Sequence, residues 1–291
     1  MNPGAVIGLV VMVLSESATL AKIEPFYSWN TPIAWTGFIL FADSIVWRAR
    51  GRSWIRSNPG EFIFLALASI PLWLVFEFYN LYIENWYYTG LPENFWLRQF
   101  GYAWSFATIW PAIFEAADLI DVWRGSPRGI RPGERHTYLT FQNQSAAGWI
   151  SVIAGLAMLL WPLLWPSQYL AAPVWLGFIF LLEPINIRLG ADSLVEESGS
   201  YGNSQLKNLF LGGFLCGALW EFWNFWAGAK WHYTVPIMEN LKIFEMPVPG
   251  YFGFPAFALE CFTMYVFIRA IAIRIVPSLQ RHFGYAIGIA G

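Results

Sequence analysis

Long apolar runs, separated by short polar or Gly/Pro-rich stretches, dominate the chain. Eight of them, at 4–21, 31–49, 61–83, 101–123, 146–165, 172–189, 207–228 and 250–275, are long enough to be membrane-crossing helices, since about 20 residues of helix span the hydrocarbon core of a bilayer. The first run contains Glu16 and has no basic segment ahead of it, so it reads as a retained helix and not as a cleaved signal. The pattern predicts an all-α fold, a polytopic membrane bundle of about eight transmembrane helices.

The runs fall into two sets that repeat one another. Phe76-Glu77-Phe78-Tyr79-Asn80, then Trp86-Tyr87-Tyr88-Thr89, is matched by Trp220-Glu221-Phe222-Trp223-Asn224, then Trp231-His232-Tyr233-Thr234. From Trp86 and from Trp231, 29 residues lead to a second glutamate, Glu115 and Glu260. Upstream, Trp35-Thr36-Gly37-Phe38-Ile39 with Asp43 and Arg48 matches Trp175-Leu176-Gly177-Phe178-Ile179 with Glu183 and Arg188. An even number of helices per set preserves orientation, so the halves are expected as parallel repeats about an axis along the membrane normal. The division this implies is a first repeat at 1–124, a basic linker at 125–145 and a second repeat at 146–291, with a polar loop at 190–205.

Composition agrees: 57% hydrophobic and 12% charged residues exclude an ordinary soluble chain. Charge placement sets the orientation. Arg48, Arg50, Arg52 and Arg56 follow the second run, and Arg124, Arg128, Arg131 and Arg135 the fourth. Arg188 and Lys207 bracket the sixth loop, and Arg274 and Arg281 lie at the C-terminal end. With eight alternating helices all of these share one side, which the positive-inside rule makes cytoplasmic. The expected location is therefore a cytoplasmic (inner) membrane, with both termini inside and the two Trp-x-Tyr-Thr loops outside.

The shared acids are the candidate chemistry, because a carboxylate in an apolar run is costly unless it is neutral, paired or facing a cavity. Glu77 and Asn80 share one helix face, as do Glu221 and Asn224. An Asn so placed is expected to hydrogen-bond the Glu and fix its rotamer. A buried carboxyl kept neutral can serve as a general acid; a buried Glu–Asn pair can equally join helices. Glu115 and Glu260 lie deeper, and Asp118 joins Glu115 on its face where the second half has Thr263. Asp43 and Glu183 are expected to pair with Arg48 and Arg188. Trp220 and Trp223 surround Glu221, and together with Trp86, Tyr88, Trp231 and Tyr233 they are candidate substrate-binding residues alongside Asn80, Asn224 and Asp118. Ring faces stabilise cations and stack on flat or polyene ligands.

Other chemistries lack their residues. The chain has no P-loop, no Gly-x-Gly-x-x-Gly and no His-Glu-x-x-His, and His136, His232 and His282 are scattered. No metal, no cofactor and no nucleic-acid partner is expected. Cys216 and Cys261 read as small buried hydrophobes.

An acid in an aromatic helix, a Trp-x-Tyr loop about ten residues on, then Pro, Phe and an acid in the next helix are clearest from Trp220 to Tyr265 and echoed from Phe76 to Glu115. This order resembles the tandem-repeat membrane proteins of carotenoid synthesis, the lycopene-cyclase-type proteins and carotenoid hydratases. The chain departs from them at Glu260-Cys261, where that family carries paired acids. The resemblance implies acid-initiated chemistry on an isoprenoid double bond, with Glu77, Glu221, Glu115 and Glu260 as candidate acids. Three functions stay open at this point. One is an acid-catalytic enzyme acting on a lipidic or isoprenoid substrate. Another is a proton- or cation-coupled transporter with carboxylates at the repeat interface. The third is a non-catalytic subunit or lipid-binding scaffold of a membrane complex. The expected partner is a membrane lipid or isoprenoid, with a homo-oligomer or a complex subunit left open.

Overall fold

The structure, a computed structural model, describes residues 2–125, 146–194 and 203–284. It is built of helices, with two small two-stranded sheets at the ends of the helices. The elements are α1 (Pro3–Leu20), α2 (Phe26–Arg50), α3 (Trp54–Ser57), α4 (Pro59–Ile83), β1 (Trp86–Thr89), α5 (Phe95–Trp123), α6 (Ala146–Leu164) and α7 (Ala171–Leu189). They continue with α8 (Asn203–Trp226), β2 (Lys230–Tyr233), β3 (Lys242–Ile243), β4 (Met246–Pro247) and α9 (Gly253–Ile275). Helices occupy all eight expected runs. The start of α5, six residues earlier than expected, is set by Asn94, whose side chain accepts from the Trp96 and Leu97 amides. The end of α2 is set by Gly51, at φ 74°. The linker at 126–145, with Arg128, Arg131, Arg135 and His136, and the loop at 195–202 lie outside the described residues.

Five segments are long and apolar enough to cross a membrane: Pro3–Leu20, Pro59–Ile83, Ala146–Leu164, Gln168–Leu189 and Val248–Ile275. The other long helices, α2, α5 and α8, are not apolar enough to join them. Their acids face inward: α5 packs against α2, α4 and α8 and buries Glu115, Asp118 and Asp121, and Asp43 and Glu221 are likewise buried. Outer faces are apolar instead. On α6, Trp149, Ile150, Ile153, Leu160, Trp161 and Leu164 are all exposed, a surface suited to hydrocarbon and not to water.

Helix pairs meet at glycines. A Cβ on Gly8 would lie 2.5 Å from the Gly37 carbonyl oxygen and from the Phe41 amide, closing α1 onto α2. One on Gly155 would lie 2.8 Å from the Gly177 carbonyl oxygen and 2.4 Å from the Leu181 amide, closing α6 onto α7. Small residues allow this approach of backbones, and Gly37 and Gly177 are the matched glycines of the two halves.

Polar groups at the opposite end of the bundle from β1 and β2 differ from expectation in their partners. Asp43 pairs with Arg56 at 3.7 Å and accepts the Ile55 amide at 2.9 Å, not Arg48. Glu183 accepts from Ser193 (2.7 Å), the Leu194 amide (2.9 Å) and Thr263 (2.8 Å), not Arg188. Arg188 instead lies over the Trp149 ring, 4.3 Å from its centroid. In both halves, then, the acid tethers the segment following its helix. An arginine five residues further along points to another face of the helix, because five residues turn it by more than one full turn.

Candidate functional site: an aromatic cavity beside the ribbon

The two Trp-x-Tyr-Thr segments were expected as external loops; the structure pairs them as antiparallel strands. In the β1–β2 ribbon Trp86 faces Tyr233, Tyr87 faces His232, Tyr88 faces Trp231 and Thr89 faces Lys230. Exchanging each residue for its counterpart in the other motif reproduces the same register, with Tyr87 and His232 at the centre. Strand alternation then divides the side chains. Trp86, Tyr88, Trp231 and Tyr233 share one face, and Tyr87 stacks on His232 on the other, with centroids 5.4 Å apart.

The helices fix this ribbon through the repeated Glu-x-x-Asn. Asn80 donates to the Trp86 carbonyl (2.8 Å) and its amide oxygen accepts from the Asn85 and Trp86 amides (2.8 and 3.2 Å). Asn224 donates to the Trp231 carbonyl (2.8 Å) and accepts from its amide (2.9 Å). Each Asn therefore acts as a strand partner for the following Trp; the expected Asn–Glu contact is not made. Two residues beyond the Trp, the tyrosine reaches back to the acid. Glu77 Oε1 accepts from Tyr88 Oη, from Trp73 Nε1 at 2.8 Å and from Trp86 Nε1 at 3.3 Å. Glu221 Oε1 accepts from Tyr233 Oη at 2.9 Å. The second half has Gly217 where the first has Trp73, and the Phe254 ring fills the space that a side chain there would need.

Beside the ribbon lies a cavity of about 490 Å³. Trp86, Tyr88, Trp231, Tyr233 and Trp220 line it, as expected of substrate-binding residues; Trp223 does not, being packed against Trp35 with centroids 4.9 Å apart. Asn80, Asn224 and Asp118 do not line it either. The four candidate acids also stand outside the lining, but Glu77 and Glu221 are one side chain behind it, through Tyr88 and Tyr233. Burial, and next the Glu77 carboxylate, push the Tyr88 phenol well above its ordinary range; burial and Glu221 do the same for Tyr233. Both phenols are thereby held as neutral donors.

Glu115 and Glu260 are fully buried elsewhere. Glu260 Oε1 accepts the Phe178 amide at 3.0 Å, while neither oxygen of Glu115 has a hydrogen-bond partner among the described residues. Asp118 is an ion-pair partner, 3.3 Å from Arg50, which also binds Asp121. Glu61 and Arg269, not singled out in the sequence, form a further pair at 2.7 Å, the acid buried and the arginine half-buried. An arginine inside an apolar run is the signal that could have found it, as it requires a partner.

Several cavity residues were also missed: Trp35, Trp73, Tyr102, Trp175, Phe254 and Phe257. Trp35 and Trp175 are matched between the halves, which was the available signal. Phe257 stands at the centre of the wall, with its ring centroid 5.1 Å from Trp175, 5.7 Å from Trp73 and 6.1 Å from Trp220. Among the described residues no cluster of His, Cys, Asp or Glu could hold a metal ion. Comparison of the chain with protein-family models, with curated proteins and with solved structures finds no match.

Proposed function

We propose that this is an integral membrane protein that takes an apolar, isoprenoid-like molecule into the aromatic cavity and acts on it by acid catalysis. The observation that carries this reading is the coincidence of the cavity with two Glu–Tyr pairs. The Tyr88 and Tyr233 rings form its wall, and their hydroxyls bond Glu77 and Glu221 behind it. In the acid form of either pair the hydrogen bond reverses: the carboxyl O–H donates to the tyrosine oxygen and passes on its proton as the phenol gives its own to the ligand, which leaves Glu77 or Glu221 as the carboxylate. The surrounding indole and phenyl faces would stabilise the cation left on a protonated alkene. The reading gives the chemistry to Glu77 and Glu221, and leaves Glu115 and Glu260 to the helix interior.

The same proposal takes the molecule as two four-helix repeats, 1–124 and 146–291, joined by 125–145. Support comes from the ribbon register, from the matched glycine contacts of α1–α2 and α6–α7, and from the matched tethers of Asp43 and Glu183. A carrier built on broken helices draws less support: α5 runs continuously through Pro111, and Pro255 falls in the first turn of α9. Lipid binding without catalysis is the second reading. One observation favours it, namely that Glu77 Oε1 already accepts three hydrogen bonds.

Mass spectrometry of lipids purified with wild type, Glu77→Gln and Glu221→Gln separates these readings. Catalysis predicts a bound apolar molecule whose chemical form changes in one or both variants. The same molecule, unchanged in form across all three, would leave binding alone.

A further inference from the structure

Taking the cavity as a ligand site, we infer that its ligand is amphipathic, with an oxyanion head (a phosphate or a carboxylate) held by Arg98 and its apolar chain held among the aromatic rings. This rests on the reading above and adds the charge of the ligand to it. Arg98, Gly101, Tyr102, Ser105, Phe106 and Ile109 line the cavity from one face of α5, at the spacing of a single helical stripe. Along that stripe the character changes from a cation in the first turn of α5, through a phenol and a hydroxyl, to hydrocarbon. The site therefore has a polar end and an apolar end.

The cations at this cavity are not equivalent. Lys230 also lines it, but its ammonium is engaged by Glu245 Oε1 (3.3 Å) and the Phe225 carbonyl (3.2 Å), and Glu245 is also 3.1 Å from His232. Arg98 is half-buried in the wall, and no hydrogen bond or ion pair of its guanidinium is found among the described residues. A guanidinium placed against aromatic walls without an anion forgoes the pairing that offsets its desolvation. Its planar array of donors matches a phosphate or carboxylate bidentately. The competing role is contact with the head groups of surrounding lipid, as a snorkelling side chain makes. That role predicts no selectivity for what enters the cavity.

The test is binding of farnesol, farnesyl phosphate and farnesoate to the full chain in zwitterionic nanodiscs, read by tryptophan emission. Four proteins are compared: wild type, Arg98→Gln, Arg98→Lys and a cavity-filled variant, Ala256→Trp or Ala172→Trp. The expected result is at least ~10-fold tighter binding of one or both anions than of the alcohol to wild type, as for a charge-assisted hydrogen bond. Arg98→Gln should abolish this preference without weakening farnesol, Arg98→Lys should retain part of it, and filling the cavity should abolish binding of all three. Whichever anion binds tighter identifies the head group. Equal binding of the three to wild type, or a preference that survives Arg98→Gln, overturns the inference while leaving the cavity reading intact. Binding that is indifferent to the filled cavity overturns the cavity reading itself.

Discussion

At the scale of residues, the repeated Glu-x-x-Asn…Trp-x-Tyr is a device for joining a helix to a strand. The Asn holds the Trp backbone and the Glu receives the Tyr hydroxyl. Asn80→Ala and Asn224→Ala each leave backbone groups of the ribbon without partners, at a cost of about 1–3 kcal/mol. Each should therefore lower the thermal unfolding midpoint of the purified protein. Asn→Asp at either position should fall between, because it keeps the acceptor and loses the donor. The phenols allow a pH prediction. With Tyr88 and Tyr233 pushed upward by burial and a neighbouring acid, their neutral forms persist above the pH of ~10 at which free tyrosine ionises. Tyr88→Phe and Tyr233→Phe should leave the tyrosinate absorbance that appears around that pH unchanged; a loss of amplitude there would show that these phenols titrate normally.

At the scale of elements, the turn after β1 has little freedom. Gly90 has φ 65°, and a Cβ there would lie 2.0 Å from the Gly228 carbonyl oxygen. Gly51 has a similar φ of 74° with open space around it. Gly51→Ala should cost only the left-handed strain, about 1 kcal/mol. Gly90→Ala must also displace backbone, so it should lower the unfolding midpoint by clearly more, and equal effects would contradict the described ribbon. These elements also show what could be read in advance. Apolar runs located the helices, with ends off by up to six residues, because length and hydrophobicity are local properties of the chain. The ribbon was not legible: Trp86 and Tyr233 are 147 residues apart, and four-residue strands inside aromatic loops carry no periodicity of their own. Ion-pair partners failed for a similar reason. Asp43 and Arg56 meet because α3 folds back, which a spacing rule along one helix does not foresee.

At the scale of the whole molecule, the matched sequence motifs meet at one place. Each half contributes a Glu–Tyr pair and one strand, and the cavity is walled by rings from both, Trp35 and Trp86 from one and Trp175 and Trp231 from the other. The acids were legible as candidates but not their relation to the ligand space: Glu115 and Glu260 repeat as faithfully as Glu77 and Glu221, yet only Glu77 and Glu221 bond a tyrosine of the lining. The arginines predict an orientation, with the ribbon outside, that can be tested. With the ribbon outside, a cysteine at exposed Glu93 should react with a membrane-impermeant maleimide on intact cells, and one at exposed Gly60 should react only after lysis. Native Cys216 and Cys261 are buried and should stay silent in both conditions.

The central claim is that the aromatic cavity holds the apolar chain of a ligand. Its most direct test is native mass spectrometry of the wild-type chain beside Ala256→Trp, with the released molecules identified. The account predicts one tightly held molecule with an apolar chain per wild-type chain, absent from the filled variant, with loosely held phospholipid the same in both. An identical set of bound molecules in the two proteins would contradict it.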